Sequence, residues 1–173
     1  MSTLVRCLAW VGISFLAAVI GSVGTFAGLG DWYNNLIKPS WTPPSWLFGP
    51  VWTALYTLMG ISMGLMDSSS QTHSDPSYNR QLIQVFTIQI ILNALWPLVF
   101  FGAGLLWLGL FVILALELFL LTWIRIGWRF SRTATLMIVP YAAWVGFASC
   151  LKLACRWKHS PVSNPRGTKP QNQ

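Results

Sequence analysis

DWYNNLIKPSWTPPSWLFGPVWTALY, residues 31–56, is the stretch on which the reading of this chain turns. It sets Trp32, Trp41, Trp46 and Trp52 among Pro39, Pro43, Pro44 and Pro50, and it lies between two long apolar runs. Proline fixes φ, withholds an amide hydrogen and pushes the preceding residue toward extended geometry. Lys38-Pro39 and Thr42-Pro43-Pro44 therefore predict an ordered, non-helical loop. Indole rings carry one polar N–H on a large apolar body, which suits the membrane boundary or the lid of an apolar cavity. The loop is thus an interfacial anchor or the cover of a binding site.

Outward from this loop, composition settles the class. Of 173 residues 54% are hydrophobic and 9% charged, whereas a soluble domain has about 25% charged residues to build its surface. Five apolar stretches run over 8–28, 48–66, 82–101, 105–124 and 133–151, each near the ~20 residues that cross a bilayer as a helix. The first is too long for a signal-peptide core and is followed by others, so it reads as a retained span. The expected fold is an all-α membrane protein: five transmembrane helices in one domain over residues 1–156, then a polar, disordered tail over 157–173.

The net charge of +7 comes from 11 Lys and Arg against 4 Asp and Glu. Arg6, Arg80, Arg125, Arg129 and Arg132 fall at one end of the spans, while Lys38 and the tail cations fall at the other, a balance too even to orient the chain. No basic face recurs along any one element. The cations therefore suit lipid headgroups, and nucleic acid is not an expected partner. Cys7, Cys150 and Cys155 follow no metal spacing and read as free thiols. His73 and His159 stand alone, so neither a metal nor a cofactor is expected.

Individual spans carry more specific signals. Gly24 with Gly28, and Gly60 with Gly64, have the small-xxx-small spacing that lets helix backbones approach closely in lipid, within one bundle or across a homodimer seam. The segment from Asp67 to Arg80 reads as a solvated loop. On the third span Gln89, Asn93, Trp96 and Phe100 share one helical face, which should turn inward. Glu117 is the one acidic side chain at membrane depth, read either as a functional carboxyl or as a protonated group bonding a neighbouring helix. On the fifth span Trp144, Ala148 and Leu151 alternate large and small along one face, a shape that receives a flat ring.

Three motifs resemble the TspO/MBR family, the tryptophan-rich sensory and translocator proteins. They are Trp32-Tyr33 through Lys38-Pro39-Ser40-Trp41-x-Pro43-Pro44-x-Trp46 to Pro50-Val51-Trp52; Leu92-Asn93-x-x-Trp96-x-x-x-Phe100-Phe101-Gly102; and Pro140-Tyr141-x-x-Trp144-x-x-Phe147-Ala148. The resemblance implies a five-helix bundle, a homodimer, and a pocket that takes protoporphyrin IX, haem, sterols and synthetic isoquinoline or benzodiazepine ligands. By motif, the ligand-binding residues would be Trp32, Tyr33, Trp52, Asn93, Trp96, Phe100, Trp144, Ala148 and Leu151. It also implies two functional readings, a tetrapyrrole receptor or carrier in stress response or porphyrin homeostasis, and a light-dependent porphyrin-degrading enzyme acting through Trp52 and Trp144. A membrane interaction protein with a lipid-filled pocket is the third reading. No general acid, base or nucleophile cluster is visible, so no catalytic residue is assigned outside the photochemical reading. The chain departs from the family at Leu151-Lys152, where asparagine usually follows leucine, and it lacks the tyrosine of the sterol pattern; both favour tetrapyrroles over sterols. A bacterial inner membrane is the expected location, with an outer mitochondrial membrane as the alternative.

Overall fold

The computed structural model describes residues 1–28, 39–70 and 76–158. Trp32, Tyr33, Lys38, His73 and the tail over 159–173 lie outside the described residues. Five long helices carry the fold: α1 (Thr3–Gly28), α2 (Phe48–Ser70), α3 (Pro76–Pro97), α4 (Leu106–Gly127) and α5 (Val139–Lys158). A 3-10 turn, Ser45–Leu47, leads into α2, and a single-turn helix, Arg132–Leu136, precedes α5. The described residues contain no strand.

By length and composition, four segments among the described residues can cross a membrane: Thr3–Ala27, Ser77–Gly102, Leu106–Gly127 and Arg132–Leu151. The fifth long helix, α2, is more polar, but it satisfies much of that polarity internally. Thr53 and Thr57 donate to the carbonyls of Gly49 and Thr53 at 3.0 and 2.8 Å, which is how hydroxyls are tolerated away from water. The surface differs from that of a water-soluble bundle: large apolar side chains cover it as well as filling the core. Leu8, Leu16, Val19, Phe26, Trp107, Phe111 and Leu118 face outward, whereas Ser14, Ser62, Gln89, Asn93 and Thr135 are buried. An apolar surface, with the few polar side chains turned inward among apolar core residues such as Met59, Met63, Phe86 and Trp123, is the arrangement a hydrocarbon solvent selects.

Antiparallel α1 and α2 form the tightest pair. A Cβ on Gly60 would stand 2.6 Å from the Val11 amide nitrogen, and one on Gly64 would stand 2.7 Å from that of Cys7. On the other side of α1, a Cβ on Gly24 would lie 2.6 Å from Leu98 Cα. These glycines are therefore consumed by packing within one chain. At the end of this pair the Arg6 guanidinium donates to Asp67 Oδ2 at 2.8 Å, and Trp10 Nε1 donates to the same oxygen at 3.2 Å. Thr3 and Ser68 hydroxyls meet at 2.8 Å.

That ion pair corrects the expected solvated loop from Asp67 to Arg80. Helix α2 continues to Ser70 and α3 starts at Pro76, and Asp67 is 7% exposed. Arg6→Ala is expected to destabilise the fold by about 2 kcal/mol, because it takes the neutralising guanidinium from a largely buried carboxylate; removing Asp67 as well should restore part of the loss. Thermal unfolding of the two variants in detergent micelles checks the order.

Two prolines shape the opposite boundaries. Pro97 ends α3, and the chain widens into a π turn over Leu98–Gly102, with Ala103 N donating to Leu98 O at 2.9 Å. Gly104 at φ 65° then completes the reversal into α4, a conformation a β-carbon disfavours. Pro140 puts a local break inside the fifth span, which runs over Arg132–Leu151 as one apolar segment. It has no N–H for the carbonyl of Leu136, so the helix stops at Leu136 and restarts at Val139.

Candidate functional site

Helices α2, α3, α4 and α5 converge on a small cavity in the half of the bundle nearer the proline-rich loop. Trp52 from α2, Trp96 from α3 and Trp144 from α5 supply three of its walls, and Asn93 supplies a directional polar group. Ile113 and Leu116 of α4 and Val145 and Ala148 of α5 complete the lining. The free space is about 10 Å³, on the scale of the roughly 10–15 Å³ that admits one water.

Asn93 is the hub of the site's floor. Its Oδ1 accepts from the Tyr56 hydroxyl at 2.5 Å, and its Nδ2 donates to the Tyr141 hydroxyl. All three are buried, at 2%, 6% and 1% exposure for Asn93, Tyr56 and Tyr141. One amide thus ties α3 to α2 and α5 and is held in a fixed orientation. Trp52 packs on both phenols, with ring centroids 5.6 Å from Tyr56 and 6.2 Å from Tyr141.

Above the cavity the described part of the loop touches α5. Trp41 meets Phe147 edge-on at 5.6 Å, and Phe48, where the loop enters α2, meets Trp144 edge-on at 6.0 Å. The local bonds that shape this cover are Thr42 N to Pro39 O at 3.1 Å and Leu47 N to Pro44 O at 3.0 Å.

Five of the residues singled out in the sequence, Trp52, Asn93, Trp96, Trp144 and Ala148, come together around one space. Phe100 stands behind it, stacked on Trp96 at 5.2 Å and 12°. Leu151 is half-buried one turn beyond Ala148 and is not part of the lining. Ile113, Leu116 and Val145 join the lining without having been expected there, since an aliphatic residue in a span gives no signal beyond hydropathy. Gln89 bridges helices by donating to Met59 Sδ at 3.3 Å. Glu117 does not make the expected bond to a neighbouring helix: its Oε2 is buried without a hydrogen-bond partner, and its Oε1 faces Gly146, which has no side chain to offer.

With this geometry in place, comparison with known proteins is decisive. The TspO/MBR family model matches residues 7–158. The chain belongs to the TspO/MBR family. Among its relatives is the tryptophan-rich protein TspO of Chlorobaculum tepidum, 35% identical over 149 residues that cover 86% of this chain and 90% of the relative. Protein CrtK of Rhodobacter capsulatus is 33% identical over 148 residues, again 86% and 90%. The human translocator protein is 32% identical over 127 residues, 73% of each chain. Family membership and the apolar helices together make this an integral, multi-pass membrane protein, and the family supports a receptor role in the membrane.

Proposed function

We propose that the chain is a receptor or carrier for flat tetrapyrroles, protoporphyrin IX and haem, in a bacterial inner membrane, with sterols as a secondary ligand class. The observation that carries this reading is the meeting of three indoles from three helices around one buried, pre-oriented amide. Indole faces stack on a large planar ring, and Asn93 offers one directional contact in otherwise apolar surroundings.

A drug-sized ligand occupies about 300 Å³ or more, so the closed slot has to open. The aromatic contacts between the cover and α5 are the parts that must separate. Each such edge-on pair is worth about 0.5–1.5 kcal/mol, which a ring system of this size regains by stacking on the same faces. Entry is thus an exchange of aromatic partners, Phe48 and Trp41 giving way to the ligand beside Trp144.

Protoporphyrin IX is expected to quench the tryptophan fluorescence of the purified protein saturably, and Trp144→Ala to weaken that binding about tenfold, the loss of roughly one stacked aromatic. Saturable binding unchanged by Trp144→Ala would remove the ligand from this slot. The same titration under illumination addresses the degradative reading: bleaching of the porphyrin band that requires both Trp52 and Trp144 favours it, and a stable band favours the receptor.

A further inference from the structure

A second concavity lies at the opposite end of the bundle, where α3 begins and α4 ends. Its volume is about 110 Å³, and it is lined by Tyr78 and Gln81 from α3, Arg125 and Ile126 from the end of α4, and Arg129 from the turn after it. That is several times the roughly 10–15 Å³ that admits a water, so a tetrahedral oxyanion fits. Arg125, in the last turn of α4, and Arg129, in the turn that follows it, both line this pocket. Tyr78 and Gln81, three apart on α3, contribute a phenol and an amide to the same lining.

The charge in this pocket is not balanced by the surrounding described residues. Asp67 is engaged by Arg6 at 2.8 Å. Glu117 is the other described carboxylate, and it lies eight residues nearer the middle of α4 than Arg125, about 12 Å along the axis. Neither Arg125 nor Arg129 has an ion-pair partner among the described residues. The Arg129 guanidinium lies 5.2 Å from the centroid of the Tyr78 ring, a stacking that holds its planar fork in place. Exposed Trp128 borders the site, with the Arg132 guanidinium 5.9 Å from its ring, so the pocket sits at the level where indoles and arginines meet the membrane boundary.

We propose that this pocket binds the phosphate of an anionic phospholipid headgroup. The two guanidinium forks take the phosphate oxygens, Tyr78 and Gln81 donate to the remaining acceptors, and Ile126 faces the apolar part of the lipid. Free phosphate offers the same oxygens but gains nothing from Ile126 or from the neighbouring lipid-facing helix surfaces. The site is separate from the aromatic slot and does not depend on what the slot binds.

The test is titration of the full chain in neutral detergent with dihexanoyl phosphatidylglycerol, dihexanoyl phosphatidylcholine or inorganic phosphate, read by thermal unfolding and by native mass spectrometry of retained lipid. Saturable stabilisation and retention by the phosphatidylglycerol, weakened about tenfold in R125Q/R129Q and unchanged in R132Q, supports the assignment. R132Q removes a neighbouring charge outside the pocket lining, so it separates a built site from general attraction. Equal responses to the glycerol and choline lipids, or a response retained in R125Q/R129Q, overturn the proposal. A response to inorganic phosphate at the same concentration supports the oxyanion chemistry and overturns the lipid as its source.

Discussion

Gly64→Val is expected to leave little folded protein, with a loss of at least about 3 kcal/mol. The added Cβ would stand 2.7 Å from the Cys7 amide nitrogen and 2.8 Å from its Sγ, and it would press on the Cys7 Cα as well. The collision is with backbone, and no rotamer change relieves it. Helix α1 has to retreat from α2, which also pulls Arg6 and Trp10 from Asp67, three residues further along α2. Gly12→Val is the matched control. A Cβ there meets nothing within 4 Å, and the substitution replaces the weaker helix former, so its effect should lie within about 0.5 kcal/mol of zero. Unfolding temperature and monodisperse yield in detergent separate the two. Similar behaviour of both variants would mean that α1 and α2 are not packed through these glycines.

This contrast shows what is legible in the residues. Small residues four apart in an apolar span announce close backbone approach, and Gly60 and Gly64 make it. Periodicity alone turns Asn93 and Trp96 inward, because in lipid the polar face of a helix has nowhere else to go. Other features depend on contacts that spacing does not encode. Asp67 stands at the head of a run of serines and reads as loop, yet its partner Arg6 is 61 positions away. Pro140 reads as one more residue of a fifth span, and only the missing amide opposite Leu136 separates the short helix from α5. The aliphatic wall of the slot, Ile113, Leu116 and Val145, has the same composition as the lipid-facing surface, so hydropathy cannot distinguish the two. Trp32 and Tyr33, which the resemblance places over the slot, lie outside the described residues.

The floor of the slot yields the second large effect. Asn93→Leu keeps nearly the same volume but removes the acceptor for the Tyr56 hydroxyl and the donor to Tyr141. A single interhelical hydrogen bond in a membrane protein is worth only about 0.6 kcal/mol on average, so the two bonds alone predict little more than 1 kcal/mol. Stranding the two phenol hydroxyls costs more. They sit on side chains at 6% and 1% exposure, and each is left without water or partner at about 1–3 kcal/mol. The expected loss is therefore about 2–6 kcal/mol, larger than bond counting gives. The triple variant N93L/Y56F/Y141F decides between the two causes, since it removes the hydroxyls together with the amide. Stability within about 1 kcal/mol of the native chain means that the cost lies in the stranded groups. A triple variant as unstable as Asn93→Leu would instead place it in lost packing around a slot too small to relax. Either result bears on ligand entry: a floor held by a satisfied polar triad stays fixed while the aromatic cover above it opens.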